Sequence, residues 1–369
     1  MKIGIDARVL DRAFTGTGRY LLNILNELPN QDSKNEYILF TASQLDVNKD
    51  FYQIANISQT KIPLKIYSPI WLNYELPKLV KNNSLDILFS PNILVPLVDL
   101  GKTKKVAVLH DVIPKVYPEY YPFFYKRYLS IFLPASLRKT DVLITVSEFS
   151  KKDIVKHFGI PWEKVKVVYN TASNHFYPRS YERIAQTGKL EELNLPPQYI
   201  LFVGAIEKRK NILCLLKTMD ILKEKRNSIE LVIVGNGGYD SKSIVEEIQR
   251  RNYVRHIPSI NDELLKYVYN KAFVFMFPSY YEGFGIPPLE AMQSGIPVLT
   301  ANTSSLAEVV GEGGLMFDPD DYHSFAEAVI RLQGDADYYE KIKTKSLLQA
   351  KKFDITIETK KLINIFNEE

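Results

Sequence analysis

The chain has 369 residues, 46% of them hydrophobic and 24% charged, with 17 Gly and 20 Pro, which suggests two domains of roughly 150 residues and excludes disordered, fibrous and peptide-sized classes. The net charge of +4 divides unevenly: residues 1–180 carry 24 Lys and Arg against 16 Asp and Glu, and the remainder 23 against 27. A basic first half suits an anionic membrane surface or acceptor, or is simply a solvated face; no nucleic-acid motif accompanies it.

In chain order, a strand KIGIDA leads to a loop with Gly16 and Gly18 and a helix GRYLLNILNEL. The start MKIGIDARVL has no basic, apolar and small-residue succession of a secretion signal, so a cytoplasmic setting is expected. Strand DILFS opens the longest uncharged apolar stretch, Ile87 to Val98, which Ser90, Pro91 and Pro96 interrupt and which falls short of the ~20 residues a bilayer crossing needs. Strand KVAVLHD ends on His110 and Asp111. Tyr117 to Lys139 follows, with eight aromatics and four basic residues. It reads either as a peripheral membrane contact or as a helix packed in the first domain, and Pro118, Pro122 and Pro134 favour the second. Strand DVLITVS, helix EFSKKDIVKHFG and strand KVKVVYN close the first half.

The region 175–197, with Pro178, Pro196 and Pro197, reads as a domain boundary. Beyond it the same grammar returns: strand YILFVGA, helix NILCLLKTMDILKEK, strand ELVIVGNG, helices SKSIVEEIQRR and DELLKYVYNK, strand AFVFMFPS, helix PLEAMQSG, strand PVLTAN and helix HSFAEAVIRLQG. The single cysteine, Cys214, lies in the first of these helices and allows no intramolecular disulfide. The segment FDITIETKKLINIFNEE reads as an amphipathic helix with Ile357, Leu362 and Ile365 among its apolar positions. Short apolar strands alternating with amphipathic helices predict an α/β fold of two doubly wound, Rossmann-like domains with a cleft between them. The expected division is 1–180, 181–350 and a C-terminal helix at 351–369 that packs back on the first domain.

Chemistry concentrates at PSYYEGFGIPPLEAM. Glu282 precedes the loop Gly283-Phe284-Gly285, Pro287 and Pro288 can open a helix, and Glu290 falls early in it. Such a loop offers unpaired backbone N–H groups and a positive dipole end to an anionic or hydroxyl-rich ligand. In FVGAIEKRKNI, Arg209 and Lys210 stand at the beginning of a helix just after a strand and Gly204. Cations oppose the helix dipole there, a conflict that a bound diphosphate would resolve. His110, at a strand's carboxyl end, can bond a substrate hydroxyl or shuttle a proton.

Together, KIGIDAR with TGTGRY, VLHDVIP, DVLITVSEFSKKDI, FVGAIEKRKNI, LVIVGNG, PSYYEGFGIPPLEAM and EVVGEGGLMFDPDD resemble a family 4 retaining glycosyltransferase of GT-B architecture over essentially the whole chain. The E-x7-E spacing of Glu282 and Glu290 carries most of the likeness, and Arg209-Lys210-Asn211 comes next. The resemblance implies that Glu282 lies by the transferred sugar, Glu290 holds the nucleotide ribose, and Arg209 and Lys210 bind the diphosphate. It further implies donor contacts at Gly204 and at the backbone of Gly283, Phe284 and Gly285, diphosphate entry at Gly16 and Gly18, His110 near the reacting carbon, and the base near Ile257 to Ile260. The implied partners are a nucleotide-sugar donor (GDP-mannose ahead of UDP-hexoses and dTDP-rhamnose) and a saccharide or lipid-linked acceptor of surface-polysaccharide synthesis, with no nucleic acid, metal or cofactor. No DxD-like acidic cluster stands beside the implied diphosphate site. Thr171 and Thr17 depart from the family pattern and leave the loops' donor preference open. A sugar-nucleotide epimerase and a non-catalytic transferase subunit are the alternative readings.

Overall fold

The computed structural model describes residues 1–11, 16–41, 57–61, 68–173, 175–178 and 193–368. Most of the expected linker, 179–192, and the residues just before Gly16 lie outside them. The chain divides into two units, Met1–Thr171 with Asp354–Glu369, and Ala172–Phe353. The sequence placed these divisions at 180/181 and 350/351.

The first unit carries seven parallel strands: β1 (Lys2–Asp6), β2 (Glu36–Thr41), β3 (Ile57–Lys61), β4 (Ile87–Ser90), β5 (Lys104–Val108), β6 (Val142–Thr145) and β7 (Val165–Val167). They lie in the order β3-β2-β1-β4-β5-β6-β7. Strands β4 and β5 are buried almost throughout, as parallel strands covered on both faces should be. The principal helices are α1 (Gly16–Gln31), α2 (Leu76–Asn82), α3 (Phe123–Lys139) and α4 (Glu148–Phe158). A π-helical turn, Trp71–Glu75, leads into α2. Ser147 caps α4 by accepting from Ser150 N, and Gly159 ends it in the left-handed region at φ 61°.

The second unit carries β8 (Tyr199–Val203), β9 (Glu230–Val234), β10 (Val254–Ile257), β11 (Val274–Phe277), β12 (Val298–Ala301) and β13 (Leu315–Phe317), all parallel, in the order β10-β9-β8-β11-β12-β13. Its helices are α5 (Ile212–Glu224), α6 (Lys242–Gln249), α7 (Asp262–Lys271), α8 (Ile286–Gln293), α9 (Leu306–Val310), α10 (Tyr322–Gly334) and α11 (Ala336–Ala350). The last helix, α12 (Ile355–Asn367), belongs to the first unit. In both sheets the winding reverses beside the first strand of the unit, at β1/β4 and at β8/β11, where open α/β sheets gather their ligands. Among the described residues no helix is long and apolar enough to cross a membrane.

Candidate active site

The carboxyl ends of β8 and β9 meet backbone to backbone. Gly204 and Gly235 sit at φ 152° and 149°, and a Cβ at Gly235 would collide with the Gly204 carbonyl, so the approach requires glycine. Pairing continues past the strands as Ile206 N donates to Asn236 O (2.9 Å) and Gly238 N to Ile206 O (2.9 Å). The chain then makes a 3-10 turn, Lys208–Lys210, which Asn211 ends at φ 53°. Arg209 and Lys210 therefore precede α5 rather than opening it, because the left-handed Asn211 separates turn from helix.

Three donors converge on one carboxylate oxygen. Glu282 Oε1 accepts from Arg209 Nη1 (2.8 Å), Lys210 Nζ (2.7 Å) and Ser279 Oγ (2.6 Å), and no described residue donates to Oε2. Arg209 also donates to Tyr281 O (2.6 Å) and Glu207 Oε2 (3.2 Å), and Lys210 Nζ lies 4.7 Å from the Phe277 ring centroid. Lys210 and Glu282 are both nearly buried. Burial alone would raise the Glu282 carboxyl, but the adjacent Arg209 and Lys210 charges and the bonds from Lys210 and Ser279 hold it below the usual carboxylate range. Burial, reinforced by Arg209, moves the Lys210 ammonium below its ordinary value against the pull of Glu282. The dipole conflict expected of these cations is thus met inside the protein, by Glu282 and Glu207.

The loop holding Glu282 is pinned from both sides. Tyr280 N donates to Arg209 O (2.9 Å), Glu282 N to Ser304 Oγ (2.9 Å) and Thr303 Oγ1 to Ser279 O (2.9 Å). Ser305 Oγ stands 2.8 Å from the carbonyl oxygens of both Glu282 and Phe284. Gly285 caps α8 at φ 111°, where a Cβ would come within 2.9 Å of Leu306 Cδ2. The Phe284 ring packs edge-on against Phe353 in the core.

Glu290 lies past the first turn of the helix in which the sequence placed it early. It is the fifth residue of α8, 2% exposed, and accepts from Tyr269 OH through Oε2 (2.8 Å). Ile257 is a buried strand end whose carbonyl accepts from Gly235 N (2.9 Å), and Ile260 is half-buried in the loop beyond it, on the edge strand's side of the sheet.

His110, Gly16 and Gly18 belong to the first unit. The two glycines lie inside α1, as its first and third residues, rather than in a loop before it. His110 Nε2 lies 3.0 Å from Pro91 O, and its ring meets Tyr20 edge-on at 5.0 Å. A carbonyl only accepts, so Nε2 carries the proton. Burial, partly offset by that bond, lowers the imidazole to about 4. It is therefore neutral near pH 7 with Nδ1 as an acceptor, which suits a hydroxyl partner and not a proton shuttle. Among the described residues no three His, Cys, Asp or Glu side chains gather as metal ligands would.

Ser279, Ser304, Ser305 and Tyr269 were not singled out from the sequence. The one available signal was Ser279 standing three residues before Glu282 in PSYYEG.

The fold is that of the GT-B glycosyltransferases. A Glycosyltransferase Family 4 model matches residues 14–172 and a Glycosyl transferases group 1 model residues 187–347, and the chain belongs to this family of glycosyltransferases. Over 99% of both chains it is 31% identical to O-antigen chain mannosyltransferase B of Escherichia coli. It is 26% identical to O-antigen chain mannosyltransferase RfbU of Salmonella typhimurium, over 75% of this chain and 74% of that one. Among solved structures, Anabaena HepE in complex with UDP and glucose superposes with a TM-score of 0.77 at 18% identity, covering 100% of this chain and 99% of that one. WaaG, a glycosyltransferase of lipopolysaccharide biosynthesis, gives 0.76 at 18% identity over 100% of both chains.

Proposed function

We propose that this glycosyltransferase moves a mannosyl group from GDP-mannose, with retention and without a metal ion, to a saccharide or lipid-linked acceptor during surface-polysaccharide synthesis. The relatives named as O-antigen mannosyltransferases support the sugar and the pathway class. UDP-hexoses and dTDP-rhamnose are the competing donors, and HepE, solved with UDP-glucose, keeps the first of these in play. The observation that carries the reading is the meeting of Arg209 and Lys210 on one oxygen of a nearly buried Glu282 at the β8/β11 reversal.

On this reading the two cations face the donor diphosphate and Glu282 presents Oε2 to the sugar. As the bond to the diphosphate stretches, the leaving oxygen gains negative charge, and Arg209 and Lys210 stabilise it without reorganising, since Glu282 and Glu207 already hold them in place. The acceptor hydroxyl attacks from the leaving group's own face, and a phosphate oxygen takes its proton. Glu290, steadied by Tyr269, holds the ribose, and His110 accepts from a sugar hydroxyl through Nδ1. The enzyme works at the cytoplasmic face of the membrane, touching it through α3, which bears exposed Phe123, Phe124 and Ile131, four basic residues and no acid.

Lys210→Ala and Glu282→Ala are each expected to lower kcat with GDP-mannose by roughly two to three orders of magnitude while the fold persists. A chelator leaves the wild-type rate unchanged, and NMR of the product shows the donor's anomeric configuration. Normal turnover in both variants, or an inverted product, overturns the reading.

A further inference from the structure

Before any ligand arrives, the cations of the second unit are matched by carboxylates. Arg209 pairs with Glu207 (3.2 Å) and Glu282 (2.8 Å), and Lys210 pairs with Glu282 (2.7 Å). Two cations against two carboxylates leave this cluster without net charge. The side chains of Arg209, Lys210 and Glu282 are only 12%, 11% and 10% exposed, so salt and water screen them poorly.

Glu282 uses its two oxygens differently. Oε1 accepts from Arg209, Lys210 and Ser279, whereas Oε2 accepts from no described residue. Lys210 Nζ carries three N–H groups and, among the described residues, donates only to Glu282. A phosphate oxygen that takes another of them shares the nitrogen with Oε1, and two acceptors on one ammonium stand roughly 4–5 Å apart. The Glu282 carboxyl, held below the usual range by its cationic neighbours, is an anion near neutral pH. Two negative groups that close, in a site shielded from water, oppose each other. Near pH 7 the terminal phosphate of a free nucleoside diphosphate carries more negative charge than the same phosphate esterified to a sugar, and it brings no hydroxyl to Oε2.

Resting on the glycosyl-transfer reading above, we propose that Glu282 is a specificity-determining residue that separates donor from product. Its charge disfavours the diphosphate, and a sugar hydroxyl bonded to Oε2 offsets that repulsion only while the sugar is attached. Arg209 and Lys210 stabilise the leaving oxygen as the bond breaks, and Glu282 keeps that stabilisation from becoming tight retention of the product.

The test is calorimetric titration of the full chain, without acceptor, with GDP, GDP β-methyl ester and GDP-mannose; the ester lowers the charge of GDP without adding hydroxyls. The wild type should bind GDP-mannose about tenfold more tightly than GDP, with the ester between them. Glu282→Gln keeps the shape and removes the charge; it should bind GDP about tenfold more tightly than the wild type does and GDP-mannose no more tightly, so the preference disappears. Glu207→Gln relieves Arg209 without touching Oε2 and should tighten both ligands by a smaller, common factor. The proposal is overturned if the wild type binds GDP as tightly as GDP-mannose, if Glu282→Gln weakens GDP, or if Glu207→Gln abolishes the preference as well. The wild-type series decides the matter even where Glu282→Gln shows no melting transition. Should neither GDP nor GDP-mannose bind, the GDP-mannose assignment falls instead, and UDP with UDP-glucose in the same series decides the role of Glu282; no binding of either pair overturns both.

Discussion

A neutral imidazole locked by a carbonyl makes His110 a sensor of acid as well as a candidate ligand. Its pKa falls from the ordinary 6.5 to about 4 in the folded protein. Below pH 6.5 the unfolded chain takes up a proton that the folded one refuses, so this contribution is complete above 6.5 and drains away as pH falls towards 4. Between pH 7 and 5 the loss amounts to about 2 kcal/mol. Urea unfolding of the wild type at these two pH values should show it, and His110→Gln should flatten the slope. An equal slope in the variant would mean that another group titrates. At this scale the sequence disclosed the charged residues and concealed what holds them. Arg209, Lys210 and Glu282 carry charge in a strand-to-helix setting and could be selected by type. Ser279 and Tyr269, which bond Glu282 and Glu290, are common residues whose role depends on three-dimensional approach.

At the level of elements, β5, β8 and β11 were legible from their unbroken apolar runs, whereas β2, with the run YILF, was passed over. β10 reads VRHI, with two polar residues in four, and β13 has only three residues, so neither stood out from loops. The segment Tyr117 to Lys139, whose prolines favoured a helix packed in the first domain, forms that helix as α3. Pro122 serves as its N-cap residue, and Pro134 lies within a helix that continues to Lys139. One face, with Leu129, Leu133 and Leu137, is buried; Phe123 and Phe124 on the other are 69% and 84% exposed. With Lys126, Arg127, Arg138 and Lys139 and no acid, each base near an anionic surface adds about 1 kcal/mol and the two rings supply apolar insertion. The wild type should float with vesicles containing phosphatidylglycerol and not with phosphatidylcholine alone. The double variant Phe123→Ser/Phe124→Ser should remain in the soluble fraction under both conditions. A wild type that ignores anionic vesicles removes the membrane contact.

For the molecule as a whole, the path of the chain matters, because the first unit is completed by a helix that follows the second unit in the chain. After the second unit ends at Phe353, α12 returns to the first, where Glu358 Oε2 accepts from Tyr169 N (2.8 Å), Thr356 Oγ1 donates to Glu27 Oε1 (3.2 Å) and the Phe366 ring meets Phe89 edge-on at 5.3 Å. The buried stripe runs through Ile355, Thr359, Leu362 and Phe366, the spacing of one helix face. Ile357, grouped with Leu362 and Ile365 by sequence, is instead 53% exposed, because it lies off that stripe. The two positions make a matched pair. Phe366→Ala should cost about 3–5 kcal/mol by opening a cavity against β4, whereas Ile357→Ala should stay within about 0.5 kcal/mol. Denaturant unfolding followed separately in the two units, by hydrogen exchange at β4 and at β11, would show the loss confined to the first. If Phe366→Ala lowered protection equally at β11, the two units would unfold as one cooperative body and α12 would stabilise both.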